Sequence, residues 1–354
     1  MARIVIAGAG AIGASIAYHL ALRGARDVVL ADRGEVAGGA TSKAMGGVRQ
    51  QFSTAPEVTL AKESIEAFEA LGAPSFLQVG YLFLATTERG LAELESRRET
   101  QVALGVPVER VDRRRLASLA PGVRGDDVVG GVFCGKDGVA DPPAVAREWA
   151  RRAAEKGVTI LERTDARTVE GEIRVIACAA RSPEQAAPFG VDLPVRPLCR
   201  QLLETADVAG LPDALPMVIE AESGFHFRRR ADRLVIAMTD PAPRWGFDEM
   251  VDESLLPDRL ARLAARFPAA AGTRFERAWA GLYDMTPDAH PILGRVAERV
   301  YVACGFSGHG FMQSPAVGRA IAEEILDGRS TLDLSPFRLD RFAKGVSFAE
   351  TVVL

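Results

Sequence analysis

Apolar residues gather in short unbroken runs near both ends of the chain and alternate with polar ones through its middle. Ile4-Val5-Ile6-Ala7 and Val28-Val29-Leu30-Ala31 are runs of the kind that form strands buried on both faces of a parallel sheet. Between them, residues 14–23 predict a helix stopped by Gly24. Residues 56–71 predict an amphipathic helix and 88–105 a charged one, while Asp141-Pro142-Pro143 caps a helix running to Lys156 and stopped by Gly157. Residues 76–85 predict a strand pair bent at Gly80, 106–119 an edge strand and a short helix, and 130–133 a further strand. Short strands are expected over 158–182. From 195 to 285 the alternation is strand-like, clearest at 198–205, 225–229, 233–239 and 276–284, with a helix near 254–266. Residues 299–304 return to an apolar strand, and a helix follows over 316–326 with Pro315 in its first turn and Gly328 beyond its end.

The first strand runs directly into Gly8-Ala9-Gly10-Ala11-Ile12-Gly13, and the second ends at Asp32 followed by Arg33. Gly8 permits the tight turn out of the strand. Gly10 carries no side chain that would hold a pyrophosphate away from the backbone, and Gly13 lets the helix lie close to the sheet. The helix amino terminus then offers free N–H groups and the positive end of its dipole to phosphate. Asp32, 19 residues after Gly13, stands where a carboxylate accepts ribose hydroxyls. Strand, glycines, helix, second strand and terminal acid together predict a dinucleotide site. Tyr18 and His19 on this helix are read as packing or surface residues.

The fingerprint alone does not separate FAD from NAD. Residues 38–52 add a loop rich in small and hydroxylic residues, including Ala40, Thr41, Ser42, Gly46 and Gly47, which can wrap an extended cofactor through backbone N–H groups and hydroxyls. A second glycine-rich turn, 305–315, lies between the late apolar strand and the last helix and holds Gly308, His309, Gly310, Phe311 and Met312. A helix amino terminus there would stabilise negative charge at the edge of a reduced flavin. A simple NAD domain has no need of it.

Composition narrows the setting. The 354 residues are 48% apolar and 25% charged, with a formal net charge of −4 and no long basic run, so nucleic acid is not an expected partner. Cys134, Cys178, Cys199 and Cys304 are scattered, without metal-ligand spacing, and no metal is expected. Neither a secretory segment nor a bilayer-length apolar stretch is visible, and the expected location is the cytoplasm.

Four ordered segments carry a resemblance: GAGAIG with Asp32, ATSKAMGGVRQQF from Ala40, GLYDMTPDAHPILG from Gly281 to Gly294, and GFSGHGFMQSPAVG from Gly305 to Gly318. Together they resemble the D-amino-acid oxidase superfamily of FAD-dependent oxidoreductases. The branch they resemble contains sarcosine and glycine oxidases, sarcosine oxidase beta subunits, dimethylglycine-oxidising enzymes and L-proline dehydrogenase beta subunits. The resemblance implies an α/β fold, in which a Rossmann-like FAD-binding domain (1–75, 136–192 and 286–354) is interleaved with a substrate domain (76–135 and 193–285) built on an antiparallel sheet flanked by helices. It also implies oxidation of the C–N bond of a small amino acid or N-substituted glycine. Electrons would pass to oxygen or to another carrier, with a partner subunit as a further expectation.

Resemblance also assigns roles. Arg49 matches the arginine that holds a substrate carboxylate, with a structural ion pair or phosphate contact as the alternative. Tyr283 matches a tyrosine near the substrate, with a core role equally open. Met312 stands where sarcosine oxidases place a lysine and would present an apolar surface near the flavin. His309 lies beside the flavin edge, and Asp288 and His290 serve loop geometry. Gly281 occupies the position of a cysteine that attaches FAD covalently in some relatives, so non-covalent FAD is expected. Val235 and Thr239 replace an oxygen-activating lysine and an active-site histidine. The segment 171–180 is shorter than in relatives and lacks their usual glycine. His226 is read as facing either the pocket or the surface. Alternatives are a 2-hydroxy-acid or glycerol-phosphate dehydrogenase on the same fold, and an FAD-binding subunit active only in a hetero-oligomer.

Overall fold

The computed structural model describes residues 2–345 and 349–353, and every count below refers to these. The expected FAD segments 1–75 and 286–354 therefore include five residues (Met1, 346–348 and Leu354) that lie outside the described part.

A six-stranded sheet forms the first layer. Its order runs Ile292–Ala297, Val300–Cys304, Ile173–Ile176, Ile4–Ala7, Val28–Ala31, Thr159–Leu161. All neighbours are parallel except the first pair, which is an antiparallel hairpin. Every residue of Ile4–Ala7 and Val28–Ala31 is buried, as runs sandwiched on both faces require. The helix Ala11–Leu22 packs closely against both Pro142–Glu155 and Gly310–Asp327 over this sheet. Gly318 makes the approach possible, since a Cβ there would sit 2.1 Å from the Ser15 hydroxyl.

A nine-stranded sheet forms the second body. It is antiparallel, as expected, apart from one parallel pair, Met217–Glu220 beside Tyr81–Ala85. One face covers a separate core of Leu82, Leu84, Phe225, Phe227, Leu234 and Ile236, closed by the helix Leu256–Arg266. The other face turns toward the first layer. Because residues directly opposite one another in a sheet share a face, the pairings Arg200↔Gly281, Leu198↔Tyr283, Leu202↔Ala237 and Ala237↔His226 place these side chains on one surface.

Three expectations change. Residues 76–85 do not form a strand pair: Phe76–Leu77 joins a small sheet with Gly138–Ala140 and Gly47–Val48, whereas Tyr81–Ala85 enters the large sheet. Residues 38–52 are not one loop, since Ala40–Lys43 is a helical turn. The last helix starts at Gly310, so Pro315 lies inside it rather than in its first turn. Proline there forgoes one backbone hydrogen bond, but its face is buried along with Ser314, Ala316 and Val317. Packing against the first helix and Ala55–Leu71 holds the turn. No helix of the described residues is long and apolar enough to cross a membrane.

Candidate active site

Between the two bodies lies a cavity of about 580 Å³, within the range of small-molecule and cofactor sites. One wall is built from the first layer. Gly8, Gly10, Ala11, Ile12, Asp32 and Arg33 line it, with Ala40, Thr41, Gly46 and Gly47 from the next segment. Gly8 has φ +100°, and a Cβ on it would sit 2.3 Å from the Ala177 carbonyl oxygen. Asp32 is locked: its carboxylate accepts the Ala9 and Gly34 N–H groups, each at 2.7 Å. At the helix amino terminus Gly10 supplies no side-chain cap, and the Thr41 hydroxyl accepts the Ala11 N–H at 3.1 Å.

Two predicted cofactor residues stand behind this wall rather than in it. Gly13 lies where a Cβ would meet the Gly8 carbonyl oxygen at 1.8 Å, so it sets helix–strand approach. Ser42 donates to the Gly38 and Gly39 carbonyls at 3.0 and 2.8 Å. The Arg33 guanidinium turns to Glu184 at 2.7 Å and Asp165 at 3.2 Å. The short segment 171–180 does reach the cavity, where Ala177, Cys178, Ala179 and Ala180 line it. Ala179 has φ +47°, a left-handed conformation more natural to glycine.

The second glycine turn closes the far end. Gly308, His309, Gly310, Phe311 and Met312 line the cavity, and no side chain caps the helix that starts at Gly310. Gly308 has φ +98°, and a Cβ there would strike the Tyr283 ring at 2.3 Å. The His309 ring packs edge-on against Phe52 and is 2% exposed. Its Nε2 lies 3.1 Å from the Ala289 carbonyl and its Nδ1 3.3 Å from Gln313 Oε1, so both nitrogens are engaged by the protein. Beneath it sits Glu57, fully buried, 2.7 Å from His290 Nδ1 and hydrogen-bonded to Gln313. Burial pushes the Glu57 carboxyl up, but His309, His290 and Gln313 together outweigh it and hold it below the usual range. Asp288 pairs with Arg341 at 2.8 Å, which ties the 286–290 loop to the chain beyond the last helix.

The opposite wall is the inward face of the large sheet, from which Tyr81, Arg200, Met217, His226, Ala237, Gly281 and Tyr283 reach the cavity. Of the segment 233–239, Ala237 and Met238 line the cavity, whereas Val235 and Thr239 do not. Gly281 lets the Ala40–Lys43 turn dock, a Cβ there being 2.9 Å from Lys43 Cβ. Burial pushes the Tyr283 phenol up, with Arg200 and Arg49 opposing, so it stays neutral. His226 is 5% exposed and belongs to the cavity, not the surface. Its Nδ1–H donates to the Gly224 carbonyl at 2.8 Å, and burial lowers the imidazole to about 4 despite that bond, with Arg49 and Arg200 adding to the depression.

Arg49 lines the cavity at 3% exposure. Its guanidinium lies over the Phe52 ring at 3.9 Å and donates to the Gln51 and Val352 carbonyls at 2.5 and 2.7 Å. Burial lowers its pKa, with Glu350 the chief opposing charge. Sequence reasoning passed over Tyr81, Arg200 and Glu57. The signal for Arg200 was a cation inside the apolar alternation of its strand, Leu198-Cys199-Arg200-Gln201-Leu202. Nothing in the sequence singled out the other two.

Residues 3–324 match the family described as FAD dependent oxidoreductase (DAO). The chain belongs to that family. The members of this family depend on FAD, and the residues present suit it: a glycine cradle that Cβ atoms would fill, a locked acid at the ribose position, and two helix amino termini facing one cavity. Among its relatives, 4-methylaminobutanoate oxidase (formaldehyde-forming) of Paenarthrobacter nicotinovorans is 27% identical over 96% of this chain, which spans 46% of that protein's length. Glycine oxidase of Geobacillus kaustophilus is 27% identical, with 96% of each chain covered. The crystal structure of L-proline dehydrogenase from P. horikoshii superposes with a TM-score of 0.91 at 27% identity, covering 98% of this chain and 99% of that one.

Proposed function

We propose that this FAD-dependent oxidoreductase oxidises the C–N bond of a small amino acid or N-substituted glycine. The observation that carries the reading is the cavity itself, with a dinucleotide cradle on one wall and neutral Tyr283, neutral His226 and the Arg49 guanidinium at its other end. When bound without a covalent link, FAD supplies the two-electron acceptor that takes hydride from the α-carbon of the neutral amine, leaving an iminium that water hydrolyses to a carbonyl compound and an amine.

The chain's own residues orient and select. Arg49, pinned by two backbone carbonyls and by Phe52, retains donors that fix a substrate carboxylate. Its fixed rotamer means that little entropy is lost on binding. Tyr283 offers a hydroxyl beside Gly308, at the helix terminus facing the cofactor. Cations and buried apolar surface around the amine site favour an uncharged nitrogen, the form whose α-hydrogen can leave as hydride. Met312 and Phe306 line the same end with apolar surface, and because both ring nitrogens of His309 are taken by the protein, the backbone of 308–312 would hold the cofactor there.

The test is a flavin spectrum before and after denaturation, followed by anaerobic titration with sarcosine, glycine, proline and D-alanine. Release of FAD on denaturation and bleaching by one of these amines are expected. Bleaching by a 2-hydroxy acid or glycerol phosphate and by no amine would overturn the reading. A second reading, of a chain that works beside a partner subunit, draws support from Trp245, Phe247 and Met250, three exposed apolar side chains in one short segment, Phe247 also lining the cavity. Sedimentation of the FAD-loaded chain alone and in extract of its source cells tests it, and a single monomeric species in both would sink it.

A further inference from the structure

Arg200 is unusual among the arginines of this protein. It projects from the middle of the strand Arg196–Thr205 into the cavity. Its Nε is buried without a hydrogen-bond partner, and no carboxylate among the described residues lies within ion-pair distance of it. Its one aromatic neighbour is the Tyr283 ring, 5.8 Å away. A guanidinium carries five donors and stays charged, so a cavity-facing one left unpaired is costly unless a ligand completes it.

Arg49 is the second cation of the same chamber. Both guanidiniums act on His226 and on Tyr283, which places them around one space. Arg49 is held by carbonyls and a ring, and it too has no ion-paired carboxylate among the described residues. The acids that line the cavity are already engaged. Asp32 is bound to Ala9 and Gly34, Asp284 to Gly305, and Glu249 to Lys43. The substrate end therefore holds two guanidiniums, neither of them in an ion pair among the described residues.

We infer that the substrate carries two carboxylates, one at Arg49 and the other at Arg200, so that the favoured class is a dicarboxylic amino acid or secondary amine. The inference rests on the amine-oxidising reading above and narrows it: Arg200 determines specificity, because a monocarboxylic substrate leaves it unpaired. The chemistry is unchanged, with hydride lost from the carbon beside nitrogen and water cleaving the iminium to an oxo acid and an amine.

The test uses the FAD-loaded enzyme and probes that cannot be oxidised at nitrogen. Methylthioacetate has one carboxylate; thiodiacetate and its homologue with one further methylene have two. Dissociation constants come from the change in flavin absorbance. At least one dicarboxylate should bind roughly 10- to 100-fold more tightly than methylthioacetate, as expected for an added charge-assisted pair. Arg200→Gln should reduce that preference to within about twofold, and Arg200→Lys should restore part of it. Equal binding of mono- and dicarboxylates by the wild type overturns the inference, and so does a preference that Arg200→Gln leaves intact. If Arg200→Gln fails to load FAD, the wild-type ratio and Arg200→Lys decide. Failure of the underlying reading looks different: the probes bind, but no amine of either class bleaches the flavin.

Discussion

The two walls of the cavity are made in opposite ways. On the nucleotide wall the contacts are backbone: glycines that leave space, N–H groups at helix ends, and one acid tied to two N–H groups. On the opposite wall, the proposed substrate side, they are side chains, held out from a sheet face by strands far apart in the chain. Tyr81, Arg200, His226 and Tyr283 meet there only because four strands register correctly. A backbone wall tolerates almost no added volume, because the atoms in the way are carbonyls that cannot rotate aside. A side-chain wall tolerates substitution in shape and answers to it in chemistry. One wall is set by what is absent, the other by what is displayed.

Breaking the first wall should have the largest effect. Gly13→Ala puts a Cβ 1.8 Å from the Gly8 carbonyl oxygen. It should cost about 3 kcal/mol or more and abolish FAD retention, read from thermal unfolding and from the flavin absorbance of the purified protein. Gly157→Ala sharpens the point. This glycine lies in the left-handed region, at φ +95°, but nothing lies within 4 Å. Only the conformational cost of about 1 kcal/mol should appear, with FAD retained.

Arg49→Gln tests the second wall. The variant should keep FAD and lose roughly 100-fold in kcat/KM for a carboxylate-bearing amine, as expected for a lost charge-assisted pair. Steady-state rates measured beside a carboxylate-free amine would check this, since the latter should lose far less.

His226 gives a pH signature. Its folded pKa of about 4 lies below the unfolded value near 6.5, so the unfolded chain binds the extra proton between these values. Its burial is therefore fully tolerated above about pH 6.5, and stability falls as pH drops toward 4, by about 3 kcal/mol across the window. Asp137 works the other way, because burial pushes its carboxyl up to about 6 and its folded form gains protons first. The two trends overlap, so the His226 contribution is read as a difference: denaturant unfolding of wild type and His226→Gln should converge in stability as the pH falls from 7 to 4.5. Parallel curves would contradict the neutral, buried imidazole.

The smallest effect is expected from Thr41→Val, which removes the acceptor of the Ala11 N–H at the helix terminus. About 1 kcal/mol should be lost. Chemical denaturation resolves that difference, and a loss as large as that of Gly13→Ala would mean that the wall depends on side chains after all.

Legibility followed the same division. GAGAIG and Asp32 could be read because strand, turn and helix are contiguous and each glycine has a local steric reason. The start of the last helix could not, because Pro315 signals a first turn locally while burial against Ser15 and the neighbouring helices extends the helix back to Gly310. His309 looked like a chemical group between glycines, yet its ring turns inward to Ala289 and Gln313. His226 was ambiguous for a related reason: alternation tells which residues share a face, not which face meets the cavity.

By itself the sequence determined the dinucleotide fingerprint, the family, the strand and helix segments, and the presence of Arg49 and Tyr283 in telling motifs. These depend on residues close together in the chain, where sterics and periodicity act directly. Tertiary structure alone decided that Arg200 and His226 share a chamber with Arg49, that Glu57 sits beneath His309, and that the cavity's acids are already engaged. The physical reason is that charge pairing and burial are properties of space. Arg49 and Arg200, 151 residues apart in sequence, become one electrostatic site only when the sheet folds over the cradle.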